Sequence, residues 1–391
     1  MKLVVIGFGQ CGGRIADEFA RLNRRAHAYR GIEIITGAFA VNTDAADLSG
    51  LTTIRPDYQH RILIGGRKTG GHGVGKINEL GAEVAAEDGD KVVDAIRTAR
   101  RFFESDAFLL IAGCAGGTGS GSIPIITKML KERYIDKPIY NLVILPFEHE
   151  ELNEERTIYN SAVCLKSVSS VADAIILVDN QRYVRKDFSL RNNLAKINAL
   201  IVEPFYNILC AGEEKKPKHI GARMLDAGDI IQTLVGWTVI GYGKSPLPLI
   251  RLPFEKTRNF RAKSTETHKG IHAMDEAISE LSLRCNPRDA GRALYLLSAP
   301  AKEMNMDMIK ELGDYLRDLA PEAIIRNGDY PRERGVIDVA VILSELNAVD
   351  KVKDYYNKST GFISAIKERQ EEIKGKLRDI EDASKDIPSL L

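Results

Sequence analysis

Residues 113–122 read Gly-Cys-Ala-Gly-Gly-Thr-Gly-Ser-Gly-Ser, and they follow the wholly apolar run Phe108–Ala112. An apolar run of this length, ended by glycine, reads as a strand buried on both faces, which places it in a parallel sheet covered by helices. A helix is expected from about Ile123, so the glycines occupy a strand-to-helix turn. Five glycines in nine residues strip that turn of side chains. Bare backbone N–H groups at a helix N-terminus form a cradle for phosphate. A purely structural turn does not call for so many glycines, since each loses much freedom when it is ordered.

Two further glycine loops belong to the same half of the chain. Gly7-Phe8-Gly9-Gln10-Cys11-Gly12 follows a strand expected at Lys2–Ile6 and opens a helix expected over Arg14–Arg24. It satisfies the dinucleotide fingerprint, and on its own it serves a nicotinamide cofactor as well as another nucleotide. An NAD(P)-dependent oxidoreductase is thus one alternative, with Glu33 as the ribose-binding acid. Glu33 stands at the start of the second strand, Glu33–Val41, rather than at its end, and the loop at 113–122 has no task in that scheme. The stretch from Thr69 to Lys76 has P-loop spacing at Gly70, Gly75 and Lys76, but Ile77 stands where a magnesium-binding Ser or Thr is required. It also lies far downstream of the first strand, and without a ligand it reads as a surface loop. Further apolar strands are expected at Ile139–Leu145 and Ala174–Val178. The strands end in polar or glycine-rich turns, the place where open α/β sheets bind ligands. The three loops together imply a nucleotide with several phosphates.

The rest of the chain has another rhythm. A long helix is expected from about Leu190 to Leu209, kinked or shortened at Pro204. Gly212–His219 reads as a charged loop, Asp229–Leu234 as a helix and Trp237–Tyr242 as a strand. Strands at Ala293–Ser298, Ala323–Arg326 and Val336–Leu343, with a helix over Met306–Leu319, indicate an α+β domain. Ser364 to about Lys385 reads as a charged, solvated helix. Lys and Arg number 55 against 54 Asp and Glu, so no large field of one sign favours nucleic acid or an anionic membrane. Five scattered cysteines without a Cys-x-x-Cys pair fit a reducing cytoplasm. No run of about 18 consecutive apolar residues suggests a membrane span.

The run Gly116–Gly121 (GGTGSG) resembles the signature of the tubulin/FtsZ superfamily. Gly9–Gly13 (GQCGG) is similar to tubulin's first phosphate loop, while Asn42–Asp44 (NTD) and Thr69–Gly75 (TGGHGVG) look more like FtsZ. The mixture resembles CetZ, the archaeal tubulin-like group, and Arg334–Leu343 extends the likeness into the second half. The resemblance implies an α/β, Rossmann-like GTP-binding domain (1–185), a central helix and catalytic connection (186–234), an α+β activation domain (235–350) and a C-terminal helical segment (351–391). It implies GTP or GDP and Mg²⁺ as ligands, and a cytoplasmic head-to-tail homopolymer serving cell shape or division, with no nucleic-acid partner and no membrane insertion.

The same resemblance assigns residues. Gly9, Gln10, Cys11, Gly12, Gly13 and Arg14 are expected to bind the nucleotide, as are Asn42, Asp44, Gly71, Gly73, Gly113, Gly116, Gly117, Thr118 and Gly119, with Gln10, Cys11, Gly12, Gly116, Gly117 and Thr118 on the phosphates. Gln10 and Asp44 are expected to help hold magnesium. Asn180 and Asn198 match the family's guanine contacts, and side-chain amides offer the donor and acceptor a purine edge needs. Glu150 or Glu151, with Arg156, is expected near the ribose and base. Asp226 and Asp229 match the two carboxylates that reach the neighbouring subunit's nucleotide and act on the attacking water; three residues apart, they can also share a helical first turn or cap it.

Three departures matter. Met224 replaces an asparagine usual in the family two residues before the first aspartate, which keeps open a GTP-binding structural polymer with little hydrolysis. Leu194 occupies a position often aromatic for stacking on guanine. His268 and His272 are spaced i, i+4 but lack a third ligand, so they read as a surface pair.

Overall fold

The computed structural model describes residues 1–184, 190–247 and 260–362. The first half runs β1 Leu3–Phe8, α1 Gly9–Arg30, β2 Ile35–Asn42, α2 Ala45–Ser49, β3 Arg61–Leu63, α3 Gly66–Thr69, α4 Asn78–Glu87, α5 Gly89–Arg97, β4 Ala107–Gly113, α6 Thr118–Arg133, β5 Ile139–Leu145, α7 Glu148–Asn153, α8 Glu155–Ser169 and β6 Ala174–Asp179. There follow α9 Leu190–Ala211, α10 Ala227–Thr233, β7 Gly236–Pro246, α11 Phe260–Ser279, β8 Ala290–Ala299, α12 Met306–Leu319, β9 Ile324–Pro331 and β10 Val336–Leu346. A last helix covers 350–362. The helix expected over Ser364–Lys385 and the segment just before α9 lie outside the described residues.

Strand order is β3-β2-β1-β4-β5-β6-β7-β10-β8-β9. The strands from β3 to β6 are all parallel, and alternate residues of β1 feed two cores. Val4, Ile6 and Phe8 join the helices α4, α5 and α6, whereas Leu3 and Val5 join α1 and α9. Burial on both faces is why these strands read as unbroken apolar runs. β7 pairs with the start of β6 (Ala174 with Gly236) and then turns antiparallel to β10, so the two halves share one continuous sheet.

The helix α9 is the axle. It passes through Pro204 without ending. The lost bond is the one to the carbonyl of Leu200, a residue 37% exposed, where water can replace it. Its stretch Leu194–Ala211 is apolar and long enough to cross a membrane, but more than half of it is buried, as befits a core helix. Leu194 and Asn198 lie at the C-terminal edge of the parallel strands. Leu209 lies at the opposite edge, where its carbonyl accepts from the Met1 amino group at 3.1 Å. A helix of 22 residues spans about 33 Å, the full depth of the domain.

Candidate functional site

Residues at the C-terminal ends of β1, β2, β4, β5 and β6 converge on one cleft of about 460 Å³. The glycine loops at 7–12 and 113–122 turn out to be helix starts. The helix α1 begins at Gly9 and α6 at Thr118, earlier than the apolar pattern suggests, because glycines there hide the first turn from any periodicity argument. The residues preceding these helices, Phe8 and Gly117, supply no side-chain cap, and neither first turn contains an acid. Unpaired N–H groups and the positive ends of two helix dipoles therefore face one space. Gly9 adopts φ +67°, open to glycine, and its backbone abuts Gly119 of the other loop.

Side chains tie the loops together. The hydroxyls of Thr43 and Thr118 lie 2.6 Å apart in a buried bond. Asp47 accepts from the side-chain amides of Gln10 (2.7 Å) and Asn42 (3.1 Å). Asp44 caps α2 through Oδ1, which accepts from Ala46 N at 2.8 Å and Asp47 N at 3.1 Å. Among the described residues no donor is placed on its Oδ2. Asn160 of α8 supports the glycine loop at 113–122 from beneath, donating to the carbonyls of Ala115 (3.0 Å) and Gly116 (3.2 Å). Burial, with the charge of Glu150, pushes the Cys11 thiol up to about 12, so it stays a neutral thiol rather than a nucleophile.

Of the residues assigned from sequence, Gly9, Gln10, Cys11, Arg14, Asn42, Asp44, Gly73, Gly113, Gly116, Gly117, Thr118, Gly119, Glu150, Asn180 and Asn198 line this cleft. Gly12 and Gly13 are buried behind it. Gly71 instead accepts Ala45 N at 3.0 Å, which docks its loop onto the Asp44 turn. Glu151 is committed elsewhere: it accepts from Tyr355 OH at 2.5 Å and faces Lys351 at 3.7 Å. Arg156 donates to Lys76 O at 3.0 Å and pairs with Glu79, outside the cleft lining. Between the alternatives Glu150 and Glu151, only Glu150 is a lining residue.

Asp226 and Asp229 are far from the cleft. Asp229 N donates to Asp226 Oδ1 at 2.8 Å and Asp226 N to Asp229 Oδ2 at 3.4 Å, a reciprocal cap on α10. This helix follows the far end of α9 and leads to Gly236, whose N–H donates to Asp173 O just before β6 begins. Cleft and carboxylates thus sit at opposite edges of the sheet. His268 and His272 gather no third ligand among the described residues.

The lining also includes Asp47, Lys76, Phe147 and His149, which sequence reasoning did not assign. Phe147 and His149 stack with ring centroids 5.5 Å apart, an aromatic surface near Asn180 that Leu194 does not offer. Lys76 holds φ +61°, a left-handed conformation rare for a side chain of this size, and its ammonium meets Glu154 at 2.5 Å. A rare conformation at a cleft wall was not legible from residue types. The Asp44-x-x-Asp47 spacing was a usable signal, because both aspartates fall at the start of one helix.

The cleft offers backbone donors for phosphates at its floor and paired amides with aromatic rings at its far end. A sequence model of the Tubulin/FtsZ family GTPase domain matches residues 2–186, and one of the tubulin-like CetZ C-terminal domain matches residues 187–360. The chain is 34% identical to tubulin-like protein CetZ1 of Haloferax volcanii over 371 residues, 90% of each chain. It is similar to the solved GDP-bound monomer of CetZ1 from that organism, with TM-score 0.79, 30% identity and coverage of 92% of this chain and 99% of the other. It is similar also to a GTPγS-bound protofilament of CetZ2 from the same organism, with TM-score 0.80, 28% identity and coverage of 94% and 100%.

Proposed function

The chain belongs to the tubulin-like CetZ family of tubulin/FtsZ proteins, and from that membership and the cleft we propose a cytoplasmic cytoskeletal GTPase that polymerises head to tail and hydrolyses GTP at the junction between subunits. The bound states of the two CetZ structures support a guanine nucleotide in this cleft, and the protofilament supports self-assembly. Phosphates would rest on the N-termini of α1 and α6 and on the loop Gly113–Gly117, with Asn180 and Asn198 on the base edge and Phe147 beside it. The backbone dipoles there are fixed before the nucleotide arrives, which favours charge developing on the phosphates without reorganisation.

Mg²⁺ fits the donors available. Magnesium takes oxygen ligands, usually one or two carboxylates plus substrate phosphates and water. Asp44 has Oδ2 free of capping bonds, and Gln10 spends only its Nε2 on Asp47. When bound, the ion would neutralise phosphate charge. Asp47 is the residue that holds Gln10 in place for it.

The observation that carries the reading is the separation of cleft and carboxylates by the length of α9. Within one chain Asp226 and Asp229 cannot reach the nucleotide. Stacking the carboxylate edge of one subunit on the cleft of the next brings them to it, where they would orient and activate the attacking water. Such a heterologous contact propagates into an open filament. A second reading, a GTP-bound polymer with little hydrolysis, is favoured by Met224, an apolar side chain 47% exposed beside Asp226.

Phosphate release across a range of protein concentrations, with pelleting in parallel, tests this. Turnover per subunit should rise with concentration, track GTP-dependent pelleting and collapse in Asp226→Ala and Asp229→Ala. Pelleting without turnover selects the second reading, and turnover independent of concentration rejects both.

A further inference from the structure

Residues 212–225, between α9 and α10, contain no element beyond the 3₁₀ turn Pro217–His219, yet they place Leu225 in the core and deliver Asp226. β9 is an edge strand of the ten-stranded sheet. An open edge leaves a row of N–H and C=O groups to be paired or covered. The 212–225 segment covers this one. Near its start, Tyr330 OH donates to Glu214 Oε2 at 3.1 Å in a buried bond. Next, His219 Nδ1 lies 3.1 Å from Pro331 O. In the middle, the carboxylate of Asp329, only 6% exposed, accepts from Ala222 N through Oδ2 at 3.0 Å and from Arg223 N through Oδ1 at 2.5 Å. The N–H of Asp329 donates in return to Arg223 O at 3.0 Å. At the far end, Arg326 places Nε 3.5 Å from Asp229 Oδ1 and donates through Nη2 to Gln232. The contacts step down β9 from Pro331 and Tyr330 to Arg326 as the segment advances.

The reciprocal cap between Asp226 and Asp229 makes the pair rigid as a unit, but it does not fix that unit to the rest of the molecule. β9 does, together with Arg292 of β8, which donates to Gln232 O, and Ser344 of β10, which donates to Thr233 O. β9 belongs to the C-terminal domain, not to the domain that holds the cleft. We propose that β9 is the splint that sets the two carboxylates for the neighbouring subunit's nucleotide, with Asp329 its positioning residue and Arg326 a second anchor. The proposal rests on the reading of Asp226 and Asp229 given above. Hydrogen bonds from backbone N–H to an ionised carboxylate are short and strong, so they suit a position that must be held to a fraction of an ångström. A displacement of about 1 Å at a reacting centre costs on the order of a hundredfold in rate.

The test compares Asp329→Asn, Arg326→Met and Asp226→Ala in the full chain. Asparagine keeps the shape of aspartate but turns an NH₂ donor against one of the two backbone N–H donors. Expected for Asp329→Asn is a fall in kcat for GTP of about tenfold or more, with KM, affinity for fluorescent GDP and GTP-dependent pelleting unchanged within about twofold. Arg326→Met should lower kcat several-fold with the same unchanged binding. A kcat near that of the parent chain in Asp329→Asn, while Asp226→Ala is inactive, overturns the splint and leaves the shared-site reading standing. An active Asp226→Ala instead sinks the shared-site reading, and the splint with it. If Asp329→Asn does not fold, Arg326→Met decides by the same readouts, and an unchanged kcat there overturns the proposal. Parallel loss of GDP affinity and turnover in a folded variant also overturns it, since a merely structural role would act on both.

Discussion

A pair of glycine-to-alanine changes separates what the glycines do for the fold from what they do for the ligand. Gly12 lies in the first turns of α1, where helix propensity alone says that alanine should stabilise by about 1 kcal/mol. A Cβ there would stand 2.1 Å from the carbonyl oxygen of Ile111 in β4, far inside any real contact. Helix and strand would have to part by about 1 Å. Overpacking of a core costs about 1–3 kcal/mol, and a clash between two backbone elements falls at the upper end. The net expectation for Gly12→Ala is a loss of about 2 kcal/mol, or roughly 4–8 °C in Tm for a domain of this size. At Gly116 a Cβ meets no heavy atom within 4 Å, yet the residue lines the cleft. Gly116→Ala should therefore melt as the parent chain does and bind fluorescent GDP at least about tenfold more weakly, a difference of about 1.4 kcal/mol. Thermal melts without nucleotide and GDP titrations read both. A Gly12→Ala protein that melts higher than the parent, or a Gly116→Ala protein with parental affinity, would refute the reasoning.

Other consequences follow from particular contacts. Burial pushes the Asp338 carboxyl up to about 6, from an ordinary value of 3.8. The folded state then binds this proton more tightly than the unfolded chain, so stability falls as pH rises from about 4 to 6 and the full cost, about 3 kcal/mol, stands above pH 6. Asp338→Asn should flatten that slope and raise the urea midpoint at pH 7 but not at pH 4; equal midpoints at pH 7 would count against it. Lys351, on the helix over 350–362, holds Asp179 at 2.9 Å and Glu151 at 3.7 Å. Lys351→Met leaves Asp179 buried without this partner and should cost about 1–3 kcal/mol in a denaturant melt. Since Asp179 adjoins Asn180, affinity for GDP should fall as well. Asp44→Ala removes the cap of α2, worth about 1 kcal/mol, and should raise the magnesium concentration needed for half-maximal turnover.

Much of the parallel half was legible because physics left few choices. Runs such as Phe108–Ala112 and Ile139–Leu145 have no polar face, so only a strand buried on both sides accommodates them, and glycines after them mark the ligand edge. The first turns of α1 and α6 give no helical signal, since glycine and serine carry no apolar period. α4, packed against the loop at 113–122, and α5 carry too short a periodic pattern to be legible as helices. Pro204 does not end α9, since the packing of the helix outweighs one missing backbone bond. The single continuous sheet was equally illegible, for nothing in Gly236–Thr238 tells that these residues pair with β6. At the site, identities followed from loops, but Glu151 and Arg156 show the limit. Neighbours in sequence on α7 and α8 point in different directions, and only the fold says that Glu150 faces the cleft while Glu151 faces Tyr355.

The claim that matters most is that one active site is built from two subunits. Mixing two inactive variants addresses it: Asp226→Ala, which keeps the cleft, and Asn180→Ala/Asn198→Ala, which keeps the carboxylates. With random head-to-tail order, about one junction in four joins an intact cleft to an intact carboxylate pair. The account predicts that the equimolar mixture regains about a quarter of the parent chain's turnover, although each variant alone has almost none. No recovery, with both chains found together in the pelleted polymer, would contradict it.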